Sequence, residues 1–137
     1  FVKMLAQSLS LPKVTEKVEF ADVPSEHWAA DSIAAAVSAK LVSGISQTEF
    51  GLGAMLTRQD AAVLTERAAA YLGRTYTTEA SVKYADRAQI ADYAQESVAK
   101  LSASGIIGGM DDGCFAPQLA LTRAQTAKLL FGLLTIR

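Results

Sequence analysis

Leu56-Thr57-Arg58-Gln59-Asp60-Ala61-Ala62 is answered 65 residues later by Leu121-Thr122-Arg123-Ala124-Gln125-Thr126-Ala127. The correspondence extends outward at the same offset. Trp28-Ala29 meets Tyr93-Ala94, Ser32-Ile33-Ala34 meets Ser97-Val98-Ala99, and Gly44 and Phe50 meet Gly109 and Phe115. Further upstream, Phe20-Ala21-Asp22 answers Tyr84-Ala85-Asp86 at an offset of 64, so one residue separates the spacing of the two anchors. A duplication of this length implies units that bury their faces against one another, an architecture used more often for binding than for catalysis.

The residues between the anchors read as helix, glycine-containing loop, helix. Val2 to Leu9 is apolar at helical spacing and closes before Pro12. Pro24-Ser25-Glu26 reads as a helix start capped by Ser25, with Trp28, Ile33, Val37 and Leu41 on one face and alanines filling the rest. Small side chains let helices approach closely, so this helix is expected in the interior. The next helix runs from Thr57 to about Leu72, with a stripe of Ala61, Leu64, Ala68 and Leu72, and ends at Gly73. A fourth is expected from an Asp92 cap through Leu101, and a fifth from Thr122 through Leu133.

Aligning Phe1 with Ala61 places Met4 on Leu64 and Leu129, which makes the first helix the second half of an earlier unit. The expected divisions are residues 1–19 as the end of a truncated first repeat plus linker, 20–73 as a repeat, 74–83 as a linker and 84–137 as a repeat. The chain opens without a helix-start signal or signal peptide and reads as a piece of something larger.

The bulk composition excludes several functions. Half of the 137 residues are hydrophobic and a fifth are charged, as in a folded globular domain. A net charge of −1 gives no electrostatic reason to expect nucleic acid or an anionic membrane. No apolar run approaches the roughly 18–20 residues that cross a bilayer. Cys114 is the only cysteine and His27 the only histidine, so neither an internal disulfide nor a His/Cys metal site is expected. No catalytic triad, phosphate loop or paired carboxylates emerge, and no cofactor is implied.

The repeated Thr-Arg has two parts. Thr57 with Asp60, and Thr122 with Gln125, have capping-box spacing. Capping leaves Arg58 and Arg123 unexplained, because a cation at the first helical position opposes the helix dipole. Either each pairs with an acidic side chain, or it grips an anionic ligand. The loop Gly108-Gly109-Met110-Asp111-Asp112-Gly113-Cys114-Phe115-Ala116-Pro117 lacks the alternating oxygens and distal glutamate of a calcium loop. Phe115 is expected in the core. The corresponding stretch Ser46-Gln47-Thr48-Glu49 is degraded, so a loop-mediated site there is expected to be weaker or different. Trp28 reads first as core and second as a sugar platform.

Phe20-Ala21-Asp22-Val23-Pro24 with His27-Trp28-Ala29, then Gly105-Ile106-Ile107-Gly108-Gly109 with Asp112-Gly113, Phe115 and Pro117, then Leu121-Thr122-Arg123-Ala124-Gln125, together resemble the S-layer homology repeat. The resemblance covers nearly the whole chain apart from the linkers. It implies an all-α fold of tandem repeats in a pseudo-threefold prism, here with its first repeat truncated. It further implies a non-catalytic module at the surface of a Gram-positive bacterium, anchoring its protein by binding an acidic, pyruvylated secondary cell wall polysaccharide. Carried over by position, the carbohydrate-binding residues would be Arg58, Arg123, Trp28, Asp22, Asp86, Gly108 and Gly109. Tyr93 replaces the family's tryptophan, and Gln125 its glutamate. An incomplete first repeat would leave apolar faces that favour dimerisation or helix exchange. The alternative is a helical protein–protein module whose arginines are structural.

Overall fold

The computed structural model describes residues 1–16, 19–76 and 83–135. Among them the fold is all-α, in the order α1 (Val2–Ser8), α2 (Ala30–Ser38), α3 (Arg58–Tyr71), α4 (Asp92–Ala103) and α5 (Arg123–Thr135), with one 3₁₀ turn at Arg87–Gln89. The expected linker 74–83 lies mostly outside the described residues. The chain divides into two compact units, Phe1–Ala54 and Met55–Arg137. That boundary falls inside the repeat read at 20–73. Its middle loop belongs to the first unit, whereas its second helix, α3, belongs to the second.

In the first unit α1 packs on α2. Leu5 is fully buried, and Val2 joins a cluster built on Phe20, Ala29 and Ile33. The alanines of α2 make this approach possible: Ala30, Ala34, Ala35 and Ala36 are all buried. The start of α2 differs from expectation. Ser25 caps nothing; the helix begins at Ala30 behind Ala29, with no side-chain cap. Pro24 to Ala30 is instead a pair of turns, His27 N–H donating to the Pro24 carbonyl and Ala30 N–H to that of His27. His27 Nδ1 accepts from the Ala29 amide at 3.3 Å, which supports the turn locally. Trp28 therefore precedes the helix rather than lying on its apolar face, and it is 70% exposed. The core reading of Trp28 is corrected accordingly.

In the second unit α3 packs on both α4 and α5. Thr57 is the N-cap of α3, its hydroxyl accepting from the Asp60 amide, and Gly73 follows the helix at φ +69°. This positive φ is the usual conformation just past a helix end. Leu64 and Leu72 carry less of the packing than their apolarity suggests. The buried face is Arg58, Gln59, Ala61, Ala62, Thr65, Ala68 and Ala69. Thr65 is accommodated because its hydroxyl donates to the Ala61 carbonyl at 2.7 Å. Asp92 is the first residue of α4 rather than its cap, which is Ala91. Phe115 is fully buried, as expected from the sequence.

Candidate functional site

The site begins where α3 begins. The first amides of a helix have no partner within it. Here Arg58 N–H donates to the Leu119 carbonyl at 2.9 Å and Gln59 N–H to that of Pro117 at 3.1 Å. Leu121 N–H donates in turn to the Leu56 carbonyl, and Thr57 and Ala120 form an isolated antiparallel bridge. The helix start of one repeat is thus stitched to the loop exit of the next.

This stitching directs the Arg58 side chain back into the loop. Its Nε donates to the Phe115 carbonyl at 2.8 Å and its Nη2 to the Gly108 carbonyl at 2.7 Å. The guanidinium carbon lies 4.9 Å from the centre of the Phe115 ring, within cation–π range. Arg58 is only 4% exposed. Burial pushes its pKa down, while Tyr84 and Asp86 act in the opposite direction. The arginine left unexplained by capping is therefore held by backbone carbonyls and an aromatic ring, a third solution beside the two weighed from sequence. Among the described residues it forms no salt bridge. Its Nη1 has no hydrogen bond among the described residues.

Asp86 supports the same loop from below. Its two carboxylate oxygens accept from Phe115 N–H and Ala116 N–H, each at 2.7 Å. In the first unit Asp22 does the same with Phe50, Gly51 and Leu52, all at 2.7 Å. The correspondence continues: Ala21 N–H donates to the Thr48 carbonyl where Ala85 N–H donates to that of Gly113. The stretch that reads as degraded in the sequence is built on the same plan.

Two glycines have a steric reason to be there. A Cβ on Gly109 would stand 2.6 Å from Tyr84 Cε1, and one on Gly44 would stand 2.5 Å from the Glu49 carbonyl oxygen. Gly108 is different. Nothing lies within 4 Å of where its Cβ would be, so open space adjoins the carbonyl that receives Arg58.

Backbone hydrogen bonds to both aspartates hold them below the usual carboxylate range. For Asp86, burial is the largest single influence and raises the pKa, but the amides of Phe115 and Ala116 outweigh it. For Asp22 the amides of Phe50 and Leu52 lead. A carboxylate with a depressed folded pKa contributes stability above its unfolded pKa, and that stability is lost as the pH falls through the folded value. Urea midpoints are therefore expected to hold from neutral pH down to about 5 and to decline below about 4. Asp86→Asn should flatten part of that decline. An acid limb unchanged by this substitution would contradict the role given to Asp86.

The aromatic positions differ between repeats. Trp28 lies open with Lys3 Nζ 4.7 Å from its ring centre and the His27 ring beside it. Tyr93 is also exposed, but its hydroxyl is tied down. It donates to Asp60 at 2.6 Å and accepts from Gln59 Nε2 at 2.9 Å. The two caps differ as well. Thr122 and Gln125 form a full reciprocal capping box. The Asp60 carboxylate instead accepts from the Thr57 hydroxyl, because its shorter side chain does not bond the Thr57 amide.

Of the residues singled out from sequence, Arg58, Asp86, Gly108 and Gly109 come together around one loop. Asp22 serves the equivalent loop of the first unit, with Trp28 at the start of α2. Arg123 stands apart: it is exposed and makes no hydrogen bond among the described residues. Sequence reasoning did not single out Gln59, which is 4% exposed and joins the Ala91 amide to the Tyr93 hydroxyl. Its place next to a duplicated arginine was the available signal. Among the described residues no group of three or more His, Cys, Asp or Glu side chains could hold a metal ion. No described helix is long and apolar enough to cross a membrane.

The S-layer homology domain family matches residues 19–62 and 83–127. An endoglucanase of Bacillus sp. (strain KSM-635) is 33% identical over 98% of this chain, which spans 14% of that protein. An amylopullulanase of Thermoanaerobacterium thermosulfurigenes is 31% identical over 98% of the chain and 7% of its own length. A cellulosome-anchoring protein of Acetivibrio thermocellus is 27% identical over 95% of the chain and 29% of its own length. The chain thus corresponds to a small part of each relative, and to the same kind of part in proteins with different names. This chain belongs to the S-layer homology family, as a non-catalytic, all-α cell-surface module of tandem repeats.

Proposed function

We propose that the chain anchors a larger surface protein to the bacterial cell wall by binding an acidic accessory polysaccharide. S-layer homology modules attach proteins to the wall, and one relative carries anchoring in its name. A segment shared by two differently named enzymes and an anchoring protein fits a task independent of any one catalytic domain.

The observation that carries the finer reading is the state of Arg58. It is a buried cation on two neutral carbonyls, with no salt bridge and with Nη1 not hydrogen-bonded among the described residues. Burying a charge is costly, and the nearby Asp86 carboxylate offsets that only in part, since burial still lowers the Arg58 pKa. An anionic group arriving at Nη1 would relieve that cost, and a sugar-borne carboxylate such as a pyruvyl ketal offers planar oxygens to match. The open space over Gly108 lets such a group approach the backbone. Asp86 and Asp22 serve the reading indirectly, by holding the loops. The exposed face of Trp28, with Lys3 above its ring, suits the apolar side of a sugar in the first unit.

Gly108→Leu tests this reading, since a Cβ at this position meets nothing within 4 Å and its φ is not positive. Sedimentation with purified walls should weaken about tenfold, equivalent to about 1.4 kcal/mol, while the melting temperature stays within a degree or two. Unchanged wall binding by this folded variant would sink the proposal that ligand enters over Gly108.

A further inference from the structure

His27 is the only histidine of the chain and Trp28 its only tryptophan, and they stand side by side in the double turn that delays α2. Three hydrogen bonds converge on His27. Its N–H donates to the Pro24 carbonyl at 2.9 Å, its carbonyl accepts from Ala30 N–H at 2.8 Å, and its Nδ1 accepts from Ala29 N–H at 3.3 Å. The ring nitrogen does here what an Asn or Asp oxygen does in many turns, reaching an amide two residues ahead. Accepting at Nδ1 requires the neutral ring, with its proton on Nε2. Ala29 is buried and joins Phe20 and Ile33 in the core of the first unit, so the ring serves an amide at the edge of that core.

The exposed indole has two neighbours. The His27 ring centre is 5.2 Å from that of Trp28, and Lys3 Nζ stands 4.7 Å from the indole while donating to the Trp28 carbonyl at 3.4 Å. Lys3 is the one charged residue of α1. The charged residues of α2, of the stretch 19–26 and of the middle loop 44–52 are all carboxylates: Asp31, then Glu19, Asp22 and Glu26, then Glu49. Two of these are already engaged. The loop amides, Phe50 first, hold Asp22 below the usual carboxylate range, and the Ser25 hydroxyl does so for Glu26. Imidazole is the side chain whose ordinary titration falls between pH 5 and 8.

We propose that His27 is a proton-operated latch on Trp28. Neutral, it holds the turn through the Ala29 amide; protonated, it lets that amide go, and the turn moves with its indole. Protonation replaces the accepting lone pair with an N–H, so two donors then face one another. The imidazolium also brings a second cation to an indole that Lys3 already occupies. Each is drawn to the ring face, and each repels the other. The state of the exposed indole is thus set by pH, whatever meets it. Only one further consequence, weaker contact with a sugar in acid, rests on the polysaccharide reading.

Because each residue occurs once, both can be read without interference. Indole emission of the chain, followed from pH 8 to pH 5, should change in a single one-proton step. Exchange of the Ala29 amide, referred to the unfolded-chain rate at each pH, should speed up about tenfold over the same step. His27→Asn keeps an oxygen able to reach the Ala29 amide but has no titration in this range, so both signals should stay flat. Absence of an emission step in the original chain would overturn the proposal. A step with an unchanged Ala29 amide would overturn it too, because the imidazolium would then act on the indole in place. A step that persists in His27→Asn would pass the effect to the nearby carboxylates and reject the latch. Should the Asn variant fail to fold, the Ala29 amide of the original chain decides alone. None of these readouts involves wall binding, so their failure leaves the anchoring proposal standing.

Discussion

Arg58→Ala is expected to destabilise the unit Met55–Arg137 by about 3–6 kcal/mol, from two hydrogen bonds to a charged group at roughly 1.5–3 kcal/mol each. The loss is not confined to the bonds themselves. The Gly108 and Phe115 carbonyls are left without their donor, and the fully buried Phe115 ring loses the cation against one side. For a unit of this size the change corresponds to a melting-temperature drop on the order of 15–30 °C. Arg58→Lys should lie between the two, since one ammonium cannot span both carbonyls in the planar geometry of a guanidinium. Arg123→Ala, in the same motif, should stay within about 0.5 kcal/mol, as expected for an exposed side chain with no hydrogen bond or salt bridge among the described residues. Thermal melts of the three variants decide the matter. Similar, small losses at Arg58 and Arg123 would show that the loop does not depend on its arginine.

This contrast marks where sequence legibility stops. The duplication, the helices, the Thr57 cap, the Gly73 terminus and the burial of Phe115 all follow from residue identity and spacing. The partners of Arg58 do not, because a backbone carbonyl is the same at every position and leaves no trace in composition. The same limit applies to Asp22 and Asp86, whose acceptor role toward consecutive amides is invisible until the loop is folded. The stretch Ser46–Glu49 differs from its counterpart residue by residue and keeps its form, since Asp22, Gly44 and main-chain bonds specify it. Trp28 departs from expectation for a different reason. Helical spacing does not carry through Pro24 to Ala29, where two consecutive turns delay the helix and release the indole outward. The compact units also cut across the sequence repeats, because α3 finds its packing partners in α4 and α5.

The glycines separate in a similar way. Gly44 and Gly109 are demanded by their own folded neighbours, so their presence says nothing about a ligand. Gly108 has no such demand on it. Together with the Nη1 of Arg58, which has no hydrogen bond among the described residues, it is the part of the loop that internal structure leaves unexplained.

We propose recognition of the acidic polysaccharide rather than of the wall as a whole. Cell walls should be prepared in parallel, one portion intact and one stripped of accessory polysaccharide, and the chain titrated against both by sedimentation. Nearly complete loss of binding to the stripped wall is expected, at least a hundredfold in apparent affinity, or about 2.7 kcal/mol. Binding to the intact wall should weaken with rising salt, as an arginine–carboxylate contact at a partly open site requires. Equal binding to intact and stripped walls would contradict the account.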